Sequence, residues 1–164
     1  KILLIFGGTD DENITRKILP YFFNKKYDIS VVLGPSYKFE QELKNKILKK
    51  EFIKIIKNEE NIAKLFAKHD LVISSSGITA YELSCLGIPS IFIPMDEYQA
   101  KTSSGLEKMG FGIDYGFWDD DFNKLEKIIT KISDYSVREK MFFSGRELVD
   151  GLGSNKILDE ILIL

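Results

Sequence analysis

Two short loops rich in small and hydroxyl-bearing residues are the parts of this sequence best suited to grip a phosphate group. One reads Gly7-Gly8-Thr9, with Asn13 shortly after it, and the other reads Ser74-Ser75-Ser76-Gly77-Ile78-Thr79. Glycine lets a backbone approach an anion closely, and a helix start offers free N–H groups and a partial positive charge. Hydroxyl and amide side chains add neutral donors. Facing each other, the two loops would suit a diphosphate.

Each loop also has a plainer interpretation as a strand-to-helix turn. In the first loop, Asp10 or Asp11 is a candidate helix cap. Glu82 lies one turn into the helix after the second loop. Its carboxylate could accept both hydroxyls of a ribose, because it is a charged acceptor facing two donors. It is equally well interpreted as a solvated charge or a favourable acid near a helix start.

A third polar segment, Pro94–Gln99, follows another apolar run. In it, Tyr98 could stack on a sugar ring, while Asp96, Glu97 and Gln99 could bind sugar hydroxyls. The alternative is a polar loop that caps the next helix.

Other reactive side chains are not predicted to do chemistry. The single histidine, His69, precedes a strand and so belongs at the opposite edge of the sheet from the loops. Cys85 lies beside leucines in a helical pattern and is expected to pack in the core. Asp119-Asp120-Asp121 indicates a solvated helix start, and Lys44–Lys54 a solvated helix face. No cluster has metal-ligand spacing, so no metal or other cofactor is expected.

The elements that must position the loops alternate along the whole chain. Apolar runs predict strands at Ile2–Phe6, Ile29–Leu33, Phe52–Ile56, Leu71–Ser74 and Ser90–Ile93, with a weaker one at Gly112–Tyr115. Amphipathic stretches predict helices at Asn13–Lys26, Lys38–Lys49, Asn61–Lys68, Thr79–Leu86, Ala100–Met109 and Asn123–Ile132, and two more in the tail. This alternation predicts an α/β fold, a Rossmann-like three-layer αβα domain with a mostly parallel sheet of about six strands. In such sheets ligands bind beyond the carboxyl ends of the strands, where both loops would lie.

Composition narrows the class of protein. The 23 basic and 25 acidic residues leave a net charge of −2, so no basic field points to nucleic acid. The longest apolar runs are strand-sized, and no membrane span is expected. A single cysteine cannot form an internal disulfide, which agrees with an expected location in the reducing cytoplasm. Because Lys1 leads straight into a strand, we expect residues 1–164 to be a single domain cut from a longer protein, with a further domain before it.

The residues also resemble a known family. Gly7-Gly8-Thr9-Asp10, the stretch 70–83, the segment 86–90 and Asp150-Gly151-Leu152-Gly153 are similar to the C-terminal domain of the UDP-sugar hydrolases of pseudaminic acid biosynthesis. The peptidoglycan N-acetylglucosaminyltransferase and other GT-B enzymes share that architecture. Nearly the whole chain takes part in the resemblance.

The resemblance implies roles for particular residues. The two loops would hold the diphosphate of a UDP-sugar, Glu82 the ribose, and Gln99 would face the sugar. The segment 91–94, with Ile93, would lie near the uracil. The family usually has Asn-Gln where this sequence has Tyr98-Gln99.

The implied reaction is hydrolysis of UDP-2,4-diacetamido-2,4,6-trideoxy-β-L-altropyranose, with a catalytic histidine in the N-terminal domain, so this chain alone is expected to bind without turnover. Two alternatives are the donor-binding domain of a GT-B glycosyltransferase and a non-catalytic nucleotide-sugar-binding module in a polysaccharide biosynthesis protein.

Overall fold

A computed structural model describes residues 1–118 and 122–163 of the chain. The predicted Asp119-Asp120-Asp121 helix start lies outside these residues. Within them, six strands are observed: β1 Ile2–Ile5, β2 Ile29–Leu33, β3 Ile53–Lys57, β4 Leu71–Ser74, β5 Ser90–Phe92 and β6 Ile113–Asp114. The helices are α1 Ile14–Ile18, α2 Glu40–Ile47, α3 Ile62–Phe66, α4 Ile78–Leu86, α5 Glu97–Lys108, α6 Leu125–Ser133, α7 Tyr135–Leu148 and α8 Gly153–Ile163.

The strands form one parallel sheet in the order β3-β2-β1-β4-β5-β6. The chain winds outward from β1 to β3, then returns to the other side of β1 with β4 and winds outward again. Ile5 at the end of β1 pairs with Ser74 at the end of β4. The predicted α/β class, strand number and parallel arrangement are therefore confirmed.

The core lies on both faces of this sheet. All four residues of β1 and all four of β4 are buried, as expected for central strands covered by helices on each side. The edge strand β3 is different, since Lys54 and Lys57 are exposed on it. Charged side chains on an edge strand discourage pairing with another sheet.

The first helix is shorter than its apolar pattern predicts. The prediction ran to Lys26, but α1 ends at Ile18 and a 3-10 turn, Leu19–Phe22, follows. Pro20 explains the change, because it has no N–H to donate to the carbonyl of residue 16.

The last helix, α8, has no buried residue in its described length. No helix among residues 1–118 and 122–163 combines the length and apolar character that crossing a bilayer requires.

Candidate functional site

The two predicted loops lie side by side at the carboxyl edge of the sheet. They follow β1 and β4, which are hydrogen-bonded neighbours. This is also the point at which the winding of the sheet reverses direction. In open α/β sheets, the crevice at this topological switch point is the usual place for a ligand.

The start of α1 is already occupied by a carboxylate. Asp10 is only 3% exposed, its Oδ1 accepts from the N–H of Ile14 at 2.8 Å, and its Oδ2 accepts from the N–H of Thr15 at 2.9 Å. Burial raises the pKa of Asp10, while hydrogen bonds from Thr15 and Ile14 act in the opposite direction. Of the two interpretations of this loop, helix capping by Asp10 is thus observed, and the α1 amides it uses are not open to a ligand.

Thr9 and Asn13 are engaged within their own region. The Thr9 hydroxyl donates to Asp11 Oδ2 at 2.9 Å, and Asn13 Oδ1 accepts from the Tyr37 hydroxyl at 2.8 Å. Burial raises the pKa of Tyr37 to about 12, helped by the nearby Asp10, so this donor keeps its proton at neutral pH. The exposed backbone of Gly7, Gly8 and Thr9 is what the loop presents to solvent.

A glycine for which the sequence predicts no role, Gly34, supports this loop. Gly34 follows β2 at the same edge, and a Cβ added there would collide with the backbone of Gly7 and Gly8. Ser36 donates its N–H to the carbonyl of Gly8 at 3.1 Å. The available signal was a glycine immediately after a strand, which often marks a close backbone approach.

The start of α4 contrasts with that of α1. It begins after Gly77, and no side chain of the described residues caps it. Ala80 donates its N–H back to the Gly77 carbonyl at 3.1 Å. The amides of Ile78 and Thr79, in the first turn, belong to the group that a helix cannot satisfy internally. An uncapped helix start therefore faces the switch point.

Two serines of the second loop use their hydroxyls in hydrogen bonds within the protein. Ser74 Oγ donates to the carbonyl of Ser75 at 2.9 Å, and Ser76 Oγ donates to the carbonyl of Gln99 at 2.8 Å. Both Ser75 and Ser76 are buried. The hydroxyl of Ser76 thus ties the second loop to the start of α5, a contact between distant parts of the chain that spacing alone did not reveal.

The third segment is positioned by its own hydrogen bonds. Asp96 caps α5, its Oδ1 accepting from the N–H of Gln99 at 2.8 Å, and Gln99 Oε1 accepts from the N–H of Met95 at 3.2 Å. Tyr98 projects into solvent. The side chain of Ile93 is fully buried and its N–H donates to the Ser74 carbonyl at 2.8 Å, so its carbonyl is the group left for contact with a base. The expected place of Ile93 near the uracil stays a prediction.

Glu82 is exposed on α4 and lines an apolar cavity of about 360 Å³ between α3 and α4. Its side chain makes no ion pair with any described residue. Cys85, expected in the core, is only partly buried and lines the same cavity together with Gly151.

His69 lies at the amino edge of the sheet, away from the loops. Its Nδ1 lies 2.8 Å from the carbonyl of Leu65 and its Nε2 lies 2.8 Å from Ser30 Oγ. Burial lowers its pKa. Across residues 1–118 and 122–163, no three His, Cys, Asp or Glu side chains gather in a way that could hold a metal ion.

Comparison with known families agrees with this geometry. The model of the glycosyltransferase family 28 C-terminal domain matches residues 2–141. The chain belongs to this family. The match spans the first loop, the second loop and the start of α5, and therefore every element of the candidate site.

Three individual relatives are also similar in sequence to this chain. An uncharacterized protein of Methanocaldococcus jannaschii is 43% identical over 103 residues, which is 60% of this chain and 21% of the relative. The spore coat polysaccharide biosynthesis protein SpsG of Bacillus subtilis is 27% identical over 158 residues, 93% of this chain and 47% of SpsG. The UDP-N-acetylglucosamine–N-acetylmuramyl-(pentapeptide) pyrophosphoryl-undecaprenol N-acetylglucosamine transferase of Aquifex aeolicus is 27% identical over 154 residues, 87% of this chain and 44% of the enzyme. The family 28 chain thus spans under half the length of these three relatives.

A solved structure confirms the fold. MurG of Acinetobacter baumannii superposes with a TM-score of 0.82 at 16% identity, covering 99% of this chain and 52% of MurG. The predicted likeness to one half of a GT-B enzyme is therefore confirmed. The narrower resemblance to the pseudaminic acid pathway hydrolases stays a prediction.

Proposed function

We propose that this family 28 domain binds the nucleotide-sugar donor of a GT-B-type glycosyltransferase. The observation that carries the proposal is the uncapped start of α4, which faces the switch point beside the exposed backbone of Gly7 and Gly8. A helix start with free amides and a glycine loop opposite it favour a diphosphate. The relative in Aquifex aeolicus is by name a transferase that uses UDP-N-acetylglucosamine, which supports a UDP-linked donor.

In this proposal the diphosphate lies between the two loops. The backbone of Gly7 to Thr9 contacts it from one side, and the amides of Gly77 to Thr79, with the Thr79 hydroxyl, contact it from the other. Glu82, farther along α4, accepts the ribose hydroxyls. Ser76 and Asn13 hold the loops in place through their hydrogen bonds to Gln99 and Tyr37.

The chemistry assigned to the domain is stabilisation of the leaving group. When the sugar departs, negative charge accumulates on the diphosphate, and fixed amide donors lower the energy of that charge without reorganising. The described residues at the carboxyl edge include no histidine, since His69 lies at the opposite edge. We assign the base and the acceptor site to another domain of the parent protein, because this chain spans about half the length of SpsG and MurG.

Transfer is the better supported of the two reactions considered. The matching family is a transferase family, and SpsG is named for polysaccharide biosynthesis. Hydrolysis of a UDP-linked deoxy sugar uses the same donor site, so the two differ only in what attacks the sugar. An assay of the parent protein for free sugar against glycosylated acceptor separates them.

Calorimetric titration of this chain with UDP tests the donor site directly. A Gly77→Ala variant should bind UDP about tenfold more weakly, a difference of about 1.4 kcal/mol. Its Cβ meets open space in the protein alone but stands where the diphosphate approaches the α4 amides.

Gly153→Ala is the matched control, since its Cβ also meets open space and Gly153 begins the exposed helix α8. No heat of binding at millimolar UDP, or equal affinity of the two variants, would refute the proposal.

A further inference from the structure

Three aromatic side chains are exposed on one face of α7. Phe143 is 63% exposed, Phe142 is 37% exposed, and Tyr135 at the first position of the helix is 68% exposed. Single exposed apolar residues are ordinary on a protein surface. A group of rings on one helix face is different, because exposed apolar patches bordered by polar residues mark protein–protein interaction sites.

Two opposite charges complete this face. Glu139 and Arg146 are both exposed, and their spacing of seven residues brings them to the same side of α7, about 10 Å apart along its axis. The Arg146 guanidinium lies 5.3 Å from the centre of the Phe142 ring, within reach of a cation–π attraction. Neither charge forms an ion pair within residues 1–118 and 122–163. Both are therefore available to an outside partner.

The order of these residues along the helix is symmetric. Glu139 lies three residues before the Phe142-Phe143 pair, and Arg146 lies three residues after it. A two-fold axis through the middle of the pair would set a second α7 antiparallel to the first and place each Glu139 opposite the Arg146 of the other copy. It would also bring Phe142 of one copy against Phe143 of the other. An isologous dimer interface requires this kind of self-complementarity.

A cavity beside α7 offers room for the aromatic rings of a second copy. Its volume is about 420 Å³, and it lies between α7 and the turn after α4, where Ile88 and Pro89 line it together with Phe142 and Phe143. Aromatic residues and arginine are enriched in the interfaces between proteins, and rings that fill such pockets contribute much of the binding energy.

We propose that α7 pairs with the α7 of a second copy of this chain, through two Glu139–Arg146 ion pairs around a core of four phenylalanine rings. Charge complementarity identifies a second copy as the occupant, because the same helix supplies both members of each ion pair. This face borders His69 and Asp70 at the amino edge of the sheet, opposite the candidate donor site. The dimer therefore leaves the loops at the carboxyl edge open, whether or not they bind UDP.

Sedimentation velocity over a range of chain concentrations tests the pairing. We expect a species of twice the mass of one chain to form as the concentration rises. Glu139→Arg and Arg146→Glu each place like charges opposite one another at both ends of the interface, so each should weaken association at least about tenfold. An equimolar mixture of the two variants should associate again, because each variant then meets opposite charges on the other.

Glu107→Arg is the matched control, since it makes the same charge change at an exposed position of α5, and it should associate like the wild type. A wild-type chain that stays monomeric at millimolar concentration would overturn the proposal. A Glu139→Arg chain that still dimerises would overturn it too, by assigning the contact to another surface such as α8. The third contrary result is a mixture of the two variants that stays monomeric.

Discussion

At the scale of single residues, one carboxylate decides which helix start can receive an anion. Asp10 places one oxygen on each of two α1 amides, whereas α4 begins with a glycine that has no side chain. A carboxyl group is therefore already bound at the start of α1, and of these two helices it is α4 whose positive end is open. The neighbouring loops look equivalent in sequence, yet their electrostatic roles differ.

Glu82 gives a prediction at this scale. Replacing it by glutamine removes the charge but keeps the shape, and we expect UDP affinity to fall about tenfold because charge-assisted hydrogen bonds to the ribose are lost. The sharper readout is 2′-deoxy-UDP, measured by the same titration. Wild-type protein should prefer UDP over the deoxy compound, and Glu82→Gln should bind the two alike.

Glu107→Gln is a suitable control, since Glu107 is an exposed acid in the last turn of α5, away from the carboxyl edge. It should retain the wild-type preference. A Glu82→Gln protein that still discriminates between the two nucleotides would remove Glu82 from the ribose site.

Individual roles were less predictable than the location of the loops. The sequence reading placed both loops at one edge, because glycines and hydroxyl residues follow apolar strands. The sequence did not show that Ser76 turns to Gln99, because that contact joins segments that are distant along the chain. Side-chain direction is a tertiary property, and residue type alone does not fix it.

At the scale of elements, the loop after β2 supports the backbone of the first loop, Gly7-Gly8-Thr9. Gly34→Ala should destabilise the protein by about 1–3 kcal/mol, the usual cost of forcing atoms into packed space. The reason is that the new Cβ would collide with the backbone of Gly7 and Gly8. Urea unfolding measures the loss, and UDP affinity should fall with it because the loop must move.

Gly105→Ala provides the opposite case in the same fold. Gly105 lies inside α5, where a Cβ meets open space, so the substitution should stabilise the protein by about 0.5–1 kcal/mol. If Gly34→Ala proved as stable as wild type, the support assigned to this loop would be wrong.

Elements were the most predictable level of the structure. Each strand is observed within one or two residues of its predicted bounds, since runs of Ile, Leu and Val in a buried parallel sheet leave little ambiguity. The first helix was overestimated because its apolar spacing continues to Phe23, while Pro20 interrupts the hydrogen bonding. The spacing of apolar residues indicates which face of a helix is buried. It does not indicate where the hydrogen bonding changes from an α-helix to a 3-10 turn.

At the scale of the whole molecule, the two edges of the sheet differ in what they carry. The carboxyl edge carries the exposed loops, and the amino edge carries His69, which contacts α3 through Leu65 and β2 through Ser30. Those contacts are made by a partly buried imidazole, and its burial lowers the pKa of His69. His69 thus contributes to the packing of the fold at the edge opposite the proposed binding loops.

The burial of His69 predicts a specific pH dependence. Burial lowers the pKa of His69 in the folded state, so the unfolded chain binds the proton more tightly. The stability contribution of neutral His69 is complete above its ordinary pKa of about 6.5 and decreases as the pH falls below that value. Urea unfolding from pH 8 to pH 5 should show this decline.

His69→Gln is the comparison, because its carboxyl groups titrate as in the wild type while the imidazole is absent. Its free energy of unfolding should decline less over the same range. Parallel curves for the two proteins would show that His69 does not contribute.

The order of the strands also has a consequence in time. Translation produces β1 before any of its neighbours, and Ile2 must wait for Leu71 to emerge before its second side is paired. At about 5–20 residues per second, this fully apolar strand lacks its second neighbouring strand for several seconds. Among the six described strands, β1 therefore waits longest between its own synthesis and that of its second partner, and chaperones that bind hydrophobic strands have their longest access there.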